Sequence, residues 1–118
     1  MNVLLHITSA AAWEAAQQQG VYRGDTLESA GFIHASLPHQ VLGVAERFYF
    51  QEPGLVLLII DEARVTAEIR YETGTQAGVD DAEQFPHLYG PLNLDAVVEV
   101  APLRWGNDGT LVLPTLPG

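Results

Sequence analysis

The sequence contains no cysteine and no lysine, and these two absences exclude several kinds of chemistry. Without cysteine there can be no disulfide, no thiol nucleophile and no zinc–thiolate site. Without lysine there can be no Schiff base. No apolar run approaches the roughly 20 residues that span a bilayer, and the first residues lack the basic start and long apolar core of a secretion signal. We therefore expect a cytoplasmic protein that does not associate with membranes.

Basic residues are also scarce, since five arginines stand against fifteen acidic residues and the formal net charge is -10. A surface this acidic repels the phosphates of nucleic acids, and no cluster of bases provides a local exception. We therefore expect no nucleic-acid partner, and a small molecule as the ligand if there is one. The expected assembly is a monomer or a weak homodimer.

The 118 residues, of which 47% are hydrophobic, suit a single compact domain over 1–118. The apolar run 55–60 predicts a central strand buried on both faces. Residues 85–91 contain two prolines, which argues against a long helix or a central strand there. Taken together, the patterns predict an α+β fold with about six strands and two helices near the N-terminus. Further predicted elements are strands at 2–7, 32–36, 68–72 and 95–103, a loop at 73–83 and a C-terminal hairpin turning at 107–109.

Two predicted strands carry polar side chains on one face. In the first, His6 and Thr8 share a face by the alternation of a strand. In the second, Phe32, His34 and Ser36 do the same. Imidazole and hydroxyl groups side by side are unusual in a plain core. The two strands together predict one polar-lined cleft in an otherwise apolar sheet.

Three more residues are candidates for ligand contact. His87 and Tyr89 lie in the rigid, aromatic segment that begins at Phe85, and rings with polar tips suit a planar ligand. The alternative is that this segment is a structural plug at the end of the sheet. Glu72 ends a predicted strand, where it can act on a substrate or simply be solvated.

Other kinds of site are not indicated. No two histidines have the short spacing of a metal-binding pair, so no metal site is predicted. There is no nucleophile elbow, P-loop or glycine-rich dinucleotide fingerprint. Ser36 can cap the helix that contains Pro38, and His39 near its start is expected to be solvated. For a single buried histidine, a structural hydrogen bond to the backbone remains an open alternative to ligand binding.

Several segments, taken in order, resemble a small bacterial family known as domain of unknown function 952. The resemblance covers residues 3–103, and its C-terminal boundary leaves the hairpin 104–118 outside. The usual family cysteine is Ala35 here, and the usual aromatic residue before His6 is Leu5. The matching segments are LHIT at 5–8, WE at 13–14, GFIHAS at 31–36, QV at 40–41, VA and RF at 44–48, LVLLIID at 55–61 and FPHLYGPL at 85–92.

The family's fold is in turn similar to that of ADP-ribosyltransferases, which split NAD in a cleft between two small sheets. This resemblance implies a two-sheet ADP-ribosyltransferase-like fold with NAD or a related nucleotide as the ligand. By the same analogy, His6 would bond a ribose hydroxyl, Thr8 backbone groups would bond the nicotinamide amide, and His34 would line the cleft. Glu72 would stabilise the oxocarbenium-like transition state. The ligand contacts would be completed by Ser36, Phe85, His87 and Tyr89.

The alternative to a nucleotide-binding protein or transferase is a non-enzymatic interaction domain. In that case the histidines would have structural roles only. Fold analogy does not decide between the two, because one fold can carry many functions.

Overall fold

A computed structural model of the chain describes residues 2–24, 27–50, 52–73, 83–106 and 111–112. Within these ranges the fold is α+β, as predicted, but the strands are shorter and more numerous than the six expected. The α-helices are α1 (Ala10–Gln19), α2 (Leu27–Ala30) and α3 (Pro38–Phe48). The strands are β1 (Val3–Ser9), β2 (Val21–Tyr22), β3 (Ile33–His34), β4 (Leu55–Asp61), β5 (Glu68–Thr73), β6 (Gln84–Tyr89), β7 (Leu92–Asn93), β8 (Val97–Pro102), β9 (Arg104–Trp105) and β10 (Leu111–Val112).

Two antiparallel three-stranded sheets organise the molecule. The first sheet has the order β1-β4-β8 and the second has the order β3-β6-β5. Two short pairs, β2 with β7 and β9 with β10, complete the strand pairing of the described residues. The β9–β10 pair confirms the predicted C-terminal hairpin, whereas its turn at 107–109 lies outside the described residues. So does most of the predicted loop at 73–83, from residue 74 to residue 82.

The central strand β4 confirms the prediction made from its aliphatic run. Leu57, Leu58, Ile59 and Ile60 are all fully buried. Leu57 and Ile59 pack with Val41 and Ala45 of α3, on one face of the first sheet. Leu58 and Ile60 face a second core that contains residues of α1, β2, β3, β6 and β7. A strand buried on both faces needs an uninterrupted apolar sequence, which is what residues 55–60 supply.

Helix α1 begins and ends where local sequence predicts. The hydroxyl of Ser9 accepts a hydrogen bond from the backbone N–H of Ala12 at 3.0 Å, so Ser9 is the N-cap. Gly20 ends the helix with a φ of 85°, a left-handed conformation that favours glycine. Helix α3 differs from prediction, because its N-cap is Leu37 and not Ser36. The side-chain oxygen of Gln40, at the third position of the helix, accepts the Leu37 N–H at 2.9 Å, which is the half of a capping box that the N3 residue makes.

Strand β6 corrects the prediction that residues 85–91 contain no central strand. The carbonyl of Pro86 accepts the N–H of Ala35 at 3.0 Å. In an antiparallel strand the N–H and C=O of one residue point to the same neighbour. The position that the N–H of Pro86 would occupy therefore faces the β3 side, and β3 already ends at His34. The hydrogen bonds between β5 and β6 thus lose no donor at Pro86. The second proline, Pro91, lies beyond the end of β6.

Within the described residues, one isolated backbone bridge joins the two sheets. Leu5 of β1 and Ser36 exchange two hydrogen bonds, at 2.8 and 2.7 Å. The predicted strand 32–36 is therefore divided between β3 and this bridge. In the same register the next hydrogen-bonded pair would be Ile7 with His34, but the two strands part before it.

Candidate functional site

Where β1 and β3 separate, the side chain of His6 hydrogen-bonds to the backbone of β3. Its Nδ1 lies 2.5 Å from the backbone oxygen of His34, and its Nε2 lies 2.7 Å from the hydroxyl of Tyr22. A carbonyl only accepts, so Nδ1 carries the proton, and in the neutral ring Nε2 then accepts from the Tyr22 hydroxyl. Both ring nitrogens of this buried histidine are thus used within the fold.

A cavity of about 440 Å³ lies beside this histidine, between α1, the end of β1 and β2. Thr8 and Tyr22 line it, together with the alanine-rich face of α1. Arg23 and Glu52 supply the charged groups of its wall. Its volume falls in the range of small-molecule sites, which is about 300–1,000 Å³.

The side chains of His6 and His34 do not share a cleft. Paired residues of antiparallel strands place their side chains on the same face. The bridge therefore puts Ser36 and His34 on the face of Leu5, whereas His6 faces the core that contains Ile33 and Ala35. The prediction of one cleft lined by both polar strands was wrong. The alternation within each strand was read correctly, but the pairing between the strands places the two polar sets on opposite faces.

Most other predicted site residues meet on one face of the second sheet. His34 pairs with His87, which pairs in turn with Arg70. Glu72 lies opposite Phe85 on the same face. We call this surface the outer face of the second sheet, because the opposite face packs into the core through Ile33, Ile69 and Leu88.

Aromatic rings make close contacts on the outer face. The rings of Phe32 and His87 stack at 4.1 Å with an angle of 16° between their planes. The His34 ring stands at 71° to that of His87, at a centroid distance of 5.3 Å. The Tyr89 ring lies 5.2 Å from that of Phe32, and the Arg70 guanidinium sits 4.4 Å from the centre of the Tyr89 ring. The sequence alternation placed Phe32 and His34 on one face of their strand, and the structure adds the pairing that brings His87 and Tyr89 to it and the stack between Phe32 and His87.

One carboxylate connects the polar tips of these rings. Oε1 of Glu72 accepts the hydroxyl of Tyr89 and lies 3.0 Å from Nδ1 of His87. Hydrogen bonds from Tyr89 and His87 lower the pKa of Glu72, and the same carboxylate raises the pKa of the Tyr89 phenol. Glu72 is therefore an ionised acceptor at neutral pH. We refer to these three side chains as the Glu72–His87–Tyr89 network.

The two remaining predicted residues lie nearby but outside this network. Ser36 is buried and contributes the backbone bridge to Leu5. Phe85 is buried and lines a smaller cavity of about 210 Å³, together with Gln40 and Glu83. Among the described residues, no group of three or more histidine, aspartate or glutamate side chains can hold a metal ion. In the same ranges, no helix has both the length and the apolar character needed to cross a membrane.

Residues 7–100 match a family described as proteins of unknown function, DUF952. This chain belongs to the DUF952 family. The crystal structure of CC0527 from Caulobacter crescentus is similar, with 30% identity, 93% coverage of both chains and a TM-score of 0.79. The solution structure of CC0527 is also 30% identical, with coverages of 93% and 91% and a TM-score of 0.76. No curated protein matches the chain.

In this DUF952 chain, two contributors to the candidate sites were missed from sequence. Tyr22 lies in a two-residue strand beside a glycine-containing turn, where nothing in the local pattern distinguishes it. Arg70 follows the alternation of β5, but its position over Tyr89 depends on the register between β5 and β6. To predict the roles of Tyr22 and Arg70, one must know which distant strands pair, and the periodicity of a single sequence does not give this information.

Proposed function

We propose that this DUF952 chain binds a small nucleotide-type ligand in the cavity beside Thr8 and Tyr22, with NAD as the first candidate. The observation that carries the proposal is the His6–Tyr22 hydrogen bond at the wall of this cavity, where β1 parts from β3. It supports a cleft at the place where the resemblance to ADP-ribosyltransferases puts NAD. Arg23 in the cavity wall provides a positive charge for a diphosphate on an otherwise acidic protein.

His6 acts in this proposal as a positioning residue. Its Nδ1–H is held by the His34 carbonyl, so its Nε2 fixes the direction of the Tyr22 hydroxyl. The Tyr22 oxygen and the polar groups of Thr8 then contact the ligand directly. This differs from the direct ribose contact that the family analogy assigned to His6.

The proposal concerns binding and does not extend to ADP-ribosyl transfer. That reaction needs a glutamate beside the glycosidic bond, where it can stabilise the positive charge of the transition state. Glu72 lies on the outer face of the second sheet and is not among the residues that line the cavity. Release of nicotinamide from NAD by the purified protein would extend the proposal to catalysis.

Calorimetric titration with NAD tests the proposal. We expect saturable heat with the wild-type protein and affinity about fivefold lower for Tyr22→Phe, because one hydrogen bond contributes about 1 kcal/mol. This substitution keeps the ring and so preserves packing. The control His39→Ala, which changes an exposed residue of α3, should bind as the wild type does. Absence of heat at millimolar NAD would rule out NAD as the ligand.

A non-enzymatic interaction domain is the second candidate, and one observation favours it. Both ring nitrogens of His6 already have partners inside the fold, as expected of a structural histidine. Thermal unfolding in the presence of NAD, ADP-ribose, ATP and GMP separates the candidates. A raised melting temperature with any one nucleotide supports ligand binding, whereas unchanged temperatures with all four support the interaction domain.

A further inference from the structure

The Nε2 atom of His87 is buried and has no hydrogen-bond partner among the described residues. The side chain of His87 is only 1% exposed, so bulk water does not solvate this atom. A buried polar atom without a partner destabilises the fold, because it has lost its hydrogen bonds to water. His87 belongs to the central strand of the second sheet, in which its orientation is set by contacts on several sides.

The neighbouring groups determine which hydrogen-bonding role this atom has. Glu72 is ionised and can only accept, so the proton of a neutral His87 ring lies on Nδ1, which faces the carboxylate at 3.0 Å. Nε2 then carries a lone pair. A flipped ring would point a carbon at the carboxylate and would lose this hydrogen bond. The missing partner of Nε2 is therefore a donor.

We propose that His87 Nε2 is the acceptor atom of a second ligand site, which takes a small planar molecule carrying an O–H or N–H donor. The rings of Phe32 and His34 form apolar and aromatic walls next to His87, which suits an aromatic ligand. Glu72, whose side chain is 39% exposed, contacts the Nδ1 atom of the same ring at 3.0 Å. The arrangement of carboxylate, imidazole and unpartnered Nε2 is also one that orients a histidine as a proton acceptor.

This site is separate from the cavity of the proposed function. None of Phe32, His34, Glu72 and His87 lines that cavity. NAD titration and titration of the His87 site therefore succeed or fail independently. Glu72 is a positioning residue here, because it acts on the ligand through the proton on His87 Nδ1.

The first experiment measures the protonation state of His87 by ¹⁵N NMR of histidine-labelled protein at neutral pH. The proposal requires a proton on Nδ1 and none on Nε2. The proposal is overturned by a proton on Nε2. In Glu72→Gln, the share of the Nδ1–H form should fall, because a carboxamide can accept or donate at this position. An unchanged tautomer ratio in that variant would remove the assigned role of Glu72.

The second experiment uses phenol and anisole, which have the same ring but differ in the O–H donor. We expect phenol at millimolar concentration to shift the His87 Nε2 resonance and anisole to leave it in place. Phenol affinity, measured by calorimetry, should fall about tenfold in His87→Phe, which corresponds to about 1.4 kcal/mol. The matched control His39→Phe should bind phenol as the wild type does. Equal shifts with both compounds, or none with phenol, would overturn the proposal.

Discussion

The two three-stranded sheets have the same antiparallel pairing but differ in what covers their faces. The first sheet has apolar packing on both sides of β4. The second sheet packs one side into the core and turns His34, His87, Tyr89 and Glu72 to the other. Strand β4, which is buried on both faces, is almost entirely aliphatic, whereas a sheet face that is not needed for the core can carry groups suited to chemistry. The first sheet adds His6 and Thr8 on β1, and the outer face of the second sheet offers the wider range of polar groups.

The largest expected effect lies in the first sheet. Leu57→Ala removes a fully buried side chain between β4 and α3 and should lower the free energy of unfolding by about 2–5 kcal/mol. Urea denaturation followed by tryptophan fluorescence measures this loss. Val98→Ala, at a position that is 38% exposed on β8, is the matched control and should change stability by no more than about 0.5 kcal/mol. Similar losses at the two positions would contradict the assignment of β4 as the central core strand.

The second prediction concerns the histidine at the junction of the sheets. His6→Phe removes hydrogen bonds to the Tyr22 hydroxyl and the His34 carbonyl, and should cost about 1–3 kcal/mol of stability. The same denaturation experiment measures it, and His39→Phe supplies the control on the exposed start of α3. Equal stability of His6→Phe and wild type would show that these two hydrogen bonds do not hold the junction together.

The third prediction tests how the second sheet is attached to α3. The buried Gln40 side chain donates to the carbonyl of Gln84 at 2.7 Å and to the carboxylate of Glu83 at 3.0 Å. Gln40→Met keeps the length of the side chain but loses these bonds, and should cost about 1–2 kcal/mol. Hydrogen exchange should show faster opening of β6 than of β4 in this variant. Equal acceleration in the two strands would mean that the sheets do not respond separately.

The smallest expected effect is a pH dependence from the outer face. Because the pKa of Glu72 is lowered in the folded protein, its contribution to stability is present above its ordinary value of 4.5 and is lost as the pH falls below it. Glu72→Gln removes this contribution, so the stability difference between wild type and variant should shrink as the pH falls through this range. Thermal unfolding at a series of pH values measures it. Glu14→Gln, exposed on α1, is the control, and a constant difference for Glu72→Gln would argue against the network.

Local sequence patterns predicted a large part of the fold. The Ser9 cap and Gly20 stop of α1 depend on contacts within a few residues, and both were found as predicted. The alternation in residues 32–36 correctly separated Ile33 and Ala35, which enter the core, from Phe32 and His34, which do not. The errors occurred where pairing partners matter. Pro86 fits a central strand only because β3 is short, and α3 begins one residue later than predicted, with Leu37 and not Ser36 as its N-cap.

The sequence by itself determined that this DUF952 chain forms an α+β domain around an aliphatic strand. The hydrophobic periodicity and the aliphatic run that predict these elements can be read within short stretches of sequence. The sequence also determined which side chains alternate within each strand. Only the tertiary structure decided that His6 and His34 lie on opposite faces, because the register of the Leu5–Ser36 bridge joins residues 31 positions apart. It also decided that Glu72, His87 and Tyr89 form one network, since hydrogen bonds between β5 and β6 set their alignment. Such pairing depends on the whole chain, and no periodicity within a strand specifies it.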